Sequence, residues 1–162
     1  MSTTNSVRVA AAISRGGDRT LVFTRTKRGA DKLVDQFQAE GVNAGAIHGD
    51  LRQSQREKSL ADFSDGKLPV LVATDVAARG IHVDDIDVVI HYDPPSDHKT
   101  YLHRSGRTAR AGESGVVVSL VLCNQELEVK RLQTRIGVVD QPIVEVFSND
   151  ARLADVADWP DA

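Results

Sequence analysis

The chain has 162 residues, 41% of them apolar, with 20 Lys and Arg against 23 Asp and Glu, a net charge of −3 and a pI near 5.9. This is about one domain of sequence, with enough apolar residues to form a core. Its slight acidity excludes nucleic-acid binding driven by overall charge, so any such binding must rest on local basic patches. The single cysteine, Cys123, excludes an intrachain disulfide and a cysteine-based zinc cluster. Its place at the end of an apolar run predicts a packed side chain. No apolar stretch is long enough to span a membrane, and the N-terminus lacks the charged, apolar, small-residue order of a signal peptide. The expectation is a cytoplasmic protein with no membrane partner.

Residues 1–6 read as an untethered start, and Val7 to Ser14 as a short helix leading in. "RTLVF" (19–23) is the first strand, short and apolar on both faces, as buried parallel strands are. The loop after it, "TRTKRG" (24–29), gathers Thr24, Arg25, Thr26, Lys27 and Arg28 at the start of a helix. Free N–H groups and the helix dipole make such a place an anion site; a solvated loop is the alternative. The helix runs from Lys27 to Glu40, with Ala30, Leu33, Val34 and Phe37 on one face, and Gly41 ends it.

"NAGAI" (43–47) is the second strand. In the loop "HGDLRQSQRE" (48–57), His48 and Asp50 lack further ligands at metal spacing, so no metal site is expected. Ser54 and Glu57 form a capping-box pattern for a helix from Ser54 to Phe63 that Gly66 closes. Gln53 and Arg56 near its start have the reach to contact a phosphate. "PVLVA" (69–73) is the third strand and runs into Thr74 and Asp75. An Asp there holds magnesium in P-loop hydrolases, but that needs G-x-x-x-x-G-K-[ST], which this sequence lacks. Asp75 is therefore not expected to be a magnesium ligand. Thr74, with a hydroxyl and an N–H at a strand end, is the better phosphate contact, and Arg79 and Gly80 mark a tight turn beside it.

"IDVVIHY" (86–92) is the fourth strand, stopped by Pro94 and Pro95. Ser96 or Asp97 can cap a short helix to about Ser105. "HRSGRTARAG" (103–112) follows, with Arg104, Arg107 and Arg110 three residues apart. Like charges at that spacing repel on a helix face, so the pattern fits either a solvated basic loop or a clamp for phosphate. "GVVVSLVL" (115–122) is the fifth strand, Asn124 to Ile136 a late helix ended by Gly137, and "PIVEVF" (142–147) a last strand. Residues 148–162 carry four Asp against one Arg and read as a loose acidic tail. Strand and helix alternate throughout. This predicts an α/β, doubly wound, mainly parallel sheet with helices on both faces, and such sheets bind ligands beyond the carboxyl ends of their strands.

Four segments, taken in order, carry a family resemblance. "LVFTRTKRGADKL", "IHGDLRQSQRE", "VLVATDVAARGI" and "HRSGRTARAG" resemble motifs IV, IVa, V and VI of the C-terminal RecA-like domain of DEAD-box ATP-dependent RNA helicases. The similarity runs from about Arg19 to Leu122 and more weakly to Phe147. It implies a RecA-like domain over 7–147, with 1–6 the end of an interdomain linker and 148–162 an extension. ATP and Mg2+ would be held mainly by an N-terminal RecA-like domain, which carries the P-loop and the Asp-Glu-Ala-Asp site missing from this sequence.

The resemblance further implies that Arg107 and Arg110 are arginine fingers toward the ATP γ-phosphate, and that His103 and Arg104 face the partner domain. Gly49, Gln53, Arg56 and Thr74, with Thr26 and Lys27, would hold the RNA sugar–phosphate backbone without reading sequence. Asp75 and Arg79 would organise the nucleotide cleft. Two positions depart from the family pattern: His82 stands where Asp usually contacts the ribose and orients a finger, and Ala109 where Gly is usual. Asp84 or Asp85 could substitute for the missing carboxylate. A DNA helicase or translocase, and a stand-alone RNA-binding module, are the competing readings.

Overall fold

The computed structural model describes residues 3–108 and 115–156. Helix α1 (Thr3–Arg15) leads into β1 (Thr20–Thr24), α2 (Lys27–Ala39), β2 (Ala44–Ile47), α3 (Gln53–Ser64), β3 (Val70–Thr74) and α4 (Asp75–Ala78). Then come β4 (Val88–His91), α5 (His98–Ser105), β5 (Val116–Ser119) and α6 (Glu126–Ile136). The five strands form one all-parallel sheet in the order β2-β3-β1-β4-β5. This is the RecA-like α/β arrangement.

The period of two in the strands divides the core. Val22, Val70, Val72, Val88 and Ile90 point to one face, where Val9 and Ile13 of α1 and Leu33 and Phe37 of α2 cover them. Leu21, Phe23, Leu71, Ala73 and Val89 point to the other, covered by Phe63 of α3 and by Ala77, Ala78, Ile81 and Ile86. Burial of both faces is why the strands read as continuous apolar runs. Helix ends follow local chemistry. Thr26 Oγ1 accepts from Gly29 N–H at 3.0 Å and Asp97 Oδ1 from Thr100 N–H at 2.8 Å. Gly41 and Gly137 end α2 and α6 at φ of +76° and +79°.

Several expectations need correction. Helix α3 starts before Ser54: Arg52 is its N-cap, and Gln55 Oε1, not Glu57, takes the cap N–H at 3.1 Å. Glu57 accepts instead from Gln53 Nε2 at 3.1 Å. Residues 142–147 are not a strand. Side chains from elsewhere take carbonyls of this run and its approach: Asn5 Nδ2 donates to Val146 O at 3.3 Å, and Gln133 Nε2 to Gln141 O at 2.9 Å. Cys123 is exposed, on a 3-10 turn after β5.

The start and the acidic end, both expected to be loose, pack within their described parts. Helix α1 begins at Thr3 and buries Ser6. A 3-10 turn over Ala151–Ala154 buries Leu153 in the α1 side of the core. Gly16 makes this fit possible, because the Ala154 carbonyl lies where any Cβ at position 16 would stand. Leu153 sits in a short stretch broken by aspartates, which gave no periodic signal.

Candidate functional site

A parallel sheet brings every strand's carboxyl end to one rim, and the candidate residues collect there. On the β2-β3-β1 side, Lys27 Nζ lies 2.9 Å from Asp50 Oδ1. That hydrogen bond and charge hold the Asp50 carboxyl below its ordinary range. Gly49 passes so close to this lysine that a Cβ there would stand 3.4 Å from Lys27 Cε. Gln53 is exposed and Arg56 half-buried at the start of α3. Thr74 is the N-cap of α4 and makes no side-chain capping bond. It is buried, directly across the sheet from Thr24. Thr26 and Lys27 open α2. The expected backbone-contact residues therefore line three adjacent strand ends.

On the β3-β1-β4 side the centre is Arg104, only 2% exposed. Its Nε donates to Asp75 Oδ1 at 2.6 Å and its Nη2 to Asp75 Oδ2 at 2.9 Å, a two-pronged pair. Nη1 donates to the Asp93 carbonyl at 2.6 Å, and the guanidinium lies 5.3 Å over the Phe23 ring. Arg104 is thus spent inside the domain, which removes it from the partner-facing surface where it was expected. The pair ties Asp75 of α4 to α5. Asp93 repeats the theme, its Oδ2 accepting from Arg25 N–H at 2.8 Å while Arg25 Nη2 donates to Pro94 O at 3.3 Å.

Arg107 is half-buried. Its Nε donates to His103 O at 3.2 Å and its Nη1 to Ile81 O at 3.3 Å. Thr108 Oγ1 donates to Ile86 O, pinning the segment after α5 to the loop over 81–86. His82, Arg79 and His103 are exposed, and Gly80 turns the chain at φ +80°. Asp85 is no substitute for a carboxylate at position 82. Its Oδ2 is 3.6 Å from Arg19 Nη1, beside the opposite end of β1. Arg110 and Ala109 lie outside the described residues. Among the described residues no group of three or more His, Cys, Asp or Glu could hold a metal ion.

Two histidines carry structure that sequence reasoning missed. His91 ends β4, fully buried, with edge-on ring contacts to Phe23 at 6.3 Å and Tyr101 at 5.2 Å. Its Nδ1 is 3.3 Å from Ser119 Oγ. Burial, with the nearby Arg104 charge, pushes its pKa down to about 3. His48, also buried, bonds Asp31 of α2 at 2.7 Å. Neither partner could be found from spacing, since both bonds join separate elements.

The family described as "Helicase conserved C-terminal domain" matches residues 6–112. The chain is 46% identical over 121 residues to the DEAD-box ATP-dependent RNA helicase 9, mitochondrial, of Arabidopsis thaliana, covering 75% of this chain and 20% of that protein. It is 51% identical over 105 residues to the ATP-dependent rRNA helicase RRP3 of Saccharomyces cerevisiae, covering 65% of this chain and 21% of that one. Among solved structures, S. cerevisiae Dbp5 bound to RNA and ADP BeF3 superposes with a TM-score of 0.81 at 29% identity, over 95% of this chain and 41% of Dbp5. The E. coli DEAD-box protein SrmB bound to the regulator RraA gives 0.68 at 34% identity, over 87% and 81%. The chain spans about a fifth of the length of the curated relatives it matches.

Proposed function

The chain belongs to the helicase conserved C-terminal domain family, in the form carried by DEAD-box RNA helicases. From that premise we propose that it is the second motor domain of an ATP-dependent RNA helicase. The observation that carries the proposal is the shared rim. The residues suited to phosphate line the β2, β3 and β1 ends, Arg107 stands on the β4 side, and the Asp75–Arg104 pair joins the two groups.

In this reading Arg107 and Arg110 meet the γ-phosphate of ATP across a cleft. A guanidinium stays charged and offers a rigid fork of donors. The His103 and Ile81 carbonyls fix the plane of the Arg107 group before nucleotide arrives. Such a group stabilises charge spreading over the transferring phosphoryl, worth about 10³–10⁵ in rate in related hydrolases. ATP and Mg2+ are held mainly by a companion N-terminal RecA-like domain. His103, Arg79 and His82 face that cleft. Thr74, Gly49, Gln53, Arg56, Thr26 and Lys27 grip the RNA sugar–phosphate backbone, and Lys27 exchanges Asp50 for a phosphate as RNA enters.

The test is RNA-stimulated ATPase of this chain joined to its N-terminal companion. Arg107→Ala and Arg110→Ala are each expected to lower kcat by about 10³-fold or more. Undiminished turnover in both variants removes the finger assignment. Separately, Arg56→Ala and Thr74→Ala are expected to weaken RNA binding at low salt, and unchanged affinity in both removes the RNA face.

A further inference from the structure

Two side chains of one helix hold the start of the loop after β2. Lys27 and Asp31 lie four residues apart on α2 and so project to one side. Lys27 bonds Asp50, and Asp31 Oδ1 stands 2.7 Å from His48 Nε2. The other ring nitrogen, His48 Nδ1, accepts the Asp50 N–H at 3.3 Å. A nitrogen that accepts carries no proton, so the imidazole hydrogen sits on Nε2 and points at Asp31. Accepting an N–H two residues ahead closes a turn of the kind Asx side chains make. Leu51 N–H to His48 O, at 3.3 Å, closes the next turn. Gly49 lies within this turn, and α3 with Gln53 and Arg56 leaves directly from it.

We propose that Asp31 is a positioning residue for RNA. Through His48 it sets the imidazole tautomer, and thereby the turn that presents Gly49, Gln53 and Arg56 to the RNA backbone. The inference rests on the RNA face proposed above. His48 is 3% exposed and the Asp31 side chain 59%. The imidazole is therefore a buried relay and the carboxylate an accessible anchor. A carboxylate beside a phosphate-binding face repels its ligand by Coulomb's law. Electrostatics alone therefore predicts that removing Asp31 strengthens RNA binding, whereas a positioning role depends on whether an acceptor oxygen remains.

Asp31→Ala and Asp31→Asn separate the two. Both remove the charge, and only asparagine keeps an oxygen able to accept from His48 Nε2–H. The probe is a short single-stranded oligouridylate, read by fluorescence anisotropy at low salt on this chain. The Asn variant is expected to bind at least as tightly as the parent, and the Ala variant about 5-fold more weakly than the Asn variant, the worth of about one hydrogen bond. Imidazole 15N spectra are expected to show the Nε2–H tautomer of His48 in the parent and the Asn variant and a mixed tautomer in the Ala variant. Equal affinity of the two variants overturns the proposal.

Arg56→Ala and Thr74→Ala are measured alongside. If either weakens binding while the two Asp31 variants match, only the positioning role falls. If Arg56→Ala and Thr74→Ala both have no effect, the RNA face falls with it. Should Asp31→Ala fold poorly, the pair is repeated on a His48→Asn background, where the asparagine Oδ1 can take the Asp50 N–H unaided. In that background Asp31→Ala and Asp31→Asn are expected to bind alike, and a persisting difference overturns the relay.

Discussion

Arg104 and Arg107 are three positions apart and end in opposite environments. Arg104 is 2% exposed and locked to Asp75 and the Asp93 carbonyl, whereas Arg107 is half-buried and held by two carbonyls at the rim. Their losses should separate. Arg104→Ala leaves a carboxylate and a carbonyl without their donor, and is expected to cost about 3 kcal/mol, at the low end for a buried pair because Asp75 is part-exposed. Arg107→Ala is expected to stay within about 1 kcal/mol of the parent. Urea denaturation of the two variants decides it, and equal midpoints would refute the assignment.

His91 sets a pH dependence with a definite sign. A histidine titrates near 6.5 in an unfolded chain, and here burial lowers the folded value to about 3. Between those values the unfolded state binds the extra proton, so stability falls as pH falls, by up to about 1.4 kcal/mol per pH unit from this group. The contribution is intact above about pH 6.5 and lost progressively toward pH 3. His91→Phe, which keeps the ring packing on Phe23 and Tyr101, is expected to flatten the stability profile over that window, as seen in urea midpoints at stepped pH. Parallel profiles for the two proteins would count against it.

At the scale of elements, the final segment invites the next test. Leu153→Ala should destabilise the chain by about 2–4 kcal/mol if Ala151–Ala154 holds α1 as the structure shows. A melt unchanged from the parent would mean a free tail. What could be read beforehand follows from how local each signal is. Helix α2 announces itself through the 3–4 spacing of Ala30, Leu33 and Phe37 and through Gly41 at its end, and the strands through unbroken Val, Leu and Ile. "PIVEVF" carries the same composition without becoming a strand, because pairing depends on a neighbour and not on the segment itself. Thr74 was visible as loop chemistry after a strand and Arg107 as one of three closely spaced arginines, whereas Gly49 came only with the family resemblance. Asp31 and Asp93 were not visible, since each matters only through a bond to a residue 17 or 68 positions away.

For the whole molecule, the proposed division of labour predicts no measurable ATP hydrolysis by this chain alone, with RNA-stimulated turnover appearing once an N-terminal companion is joined to it. Turnover by the isolated chain, surviving Arg107→Ala, would point to a nucleotide site of a different kind. RNA binding by the chain should also weaken steeply with salt, since backbone contacts release counterions. A titration from about 50 to 200 mM salt that leaves affinity flat would exclude a phosphate-directed face.

The strand order carries a consequence for how the chain is made. Central strand β1 has Thr20 paired with Val70 on one side and Val88 on the other, so neither neighbour exists when β1 leaves the ribosome. The next strand in sequence, β2, is no help, because it pairs only with β3. The sheet's middle must wait for distant partners, and closing such separations is slow. At about 5–20 residues per second of synthesis, β1 spends several seconds as an apolar, unpaired strand. During that interval α1 and α2 are the cover available to it, and nascent-chain protease protection of β1 should rise only once His91 has emerged.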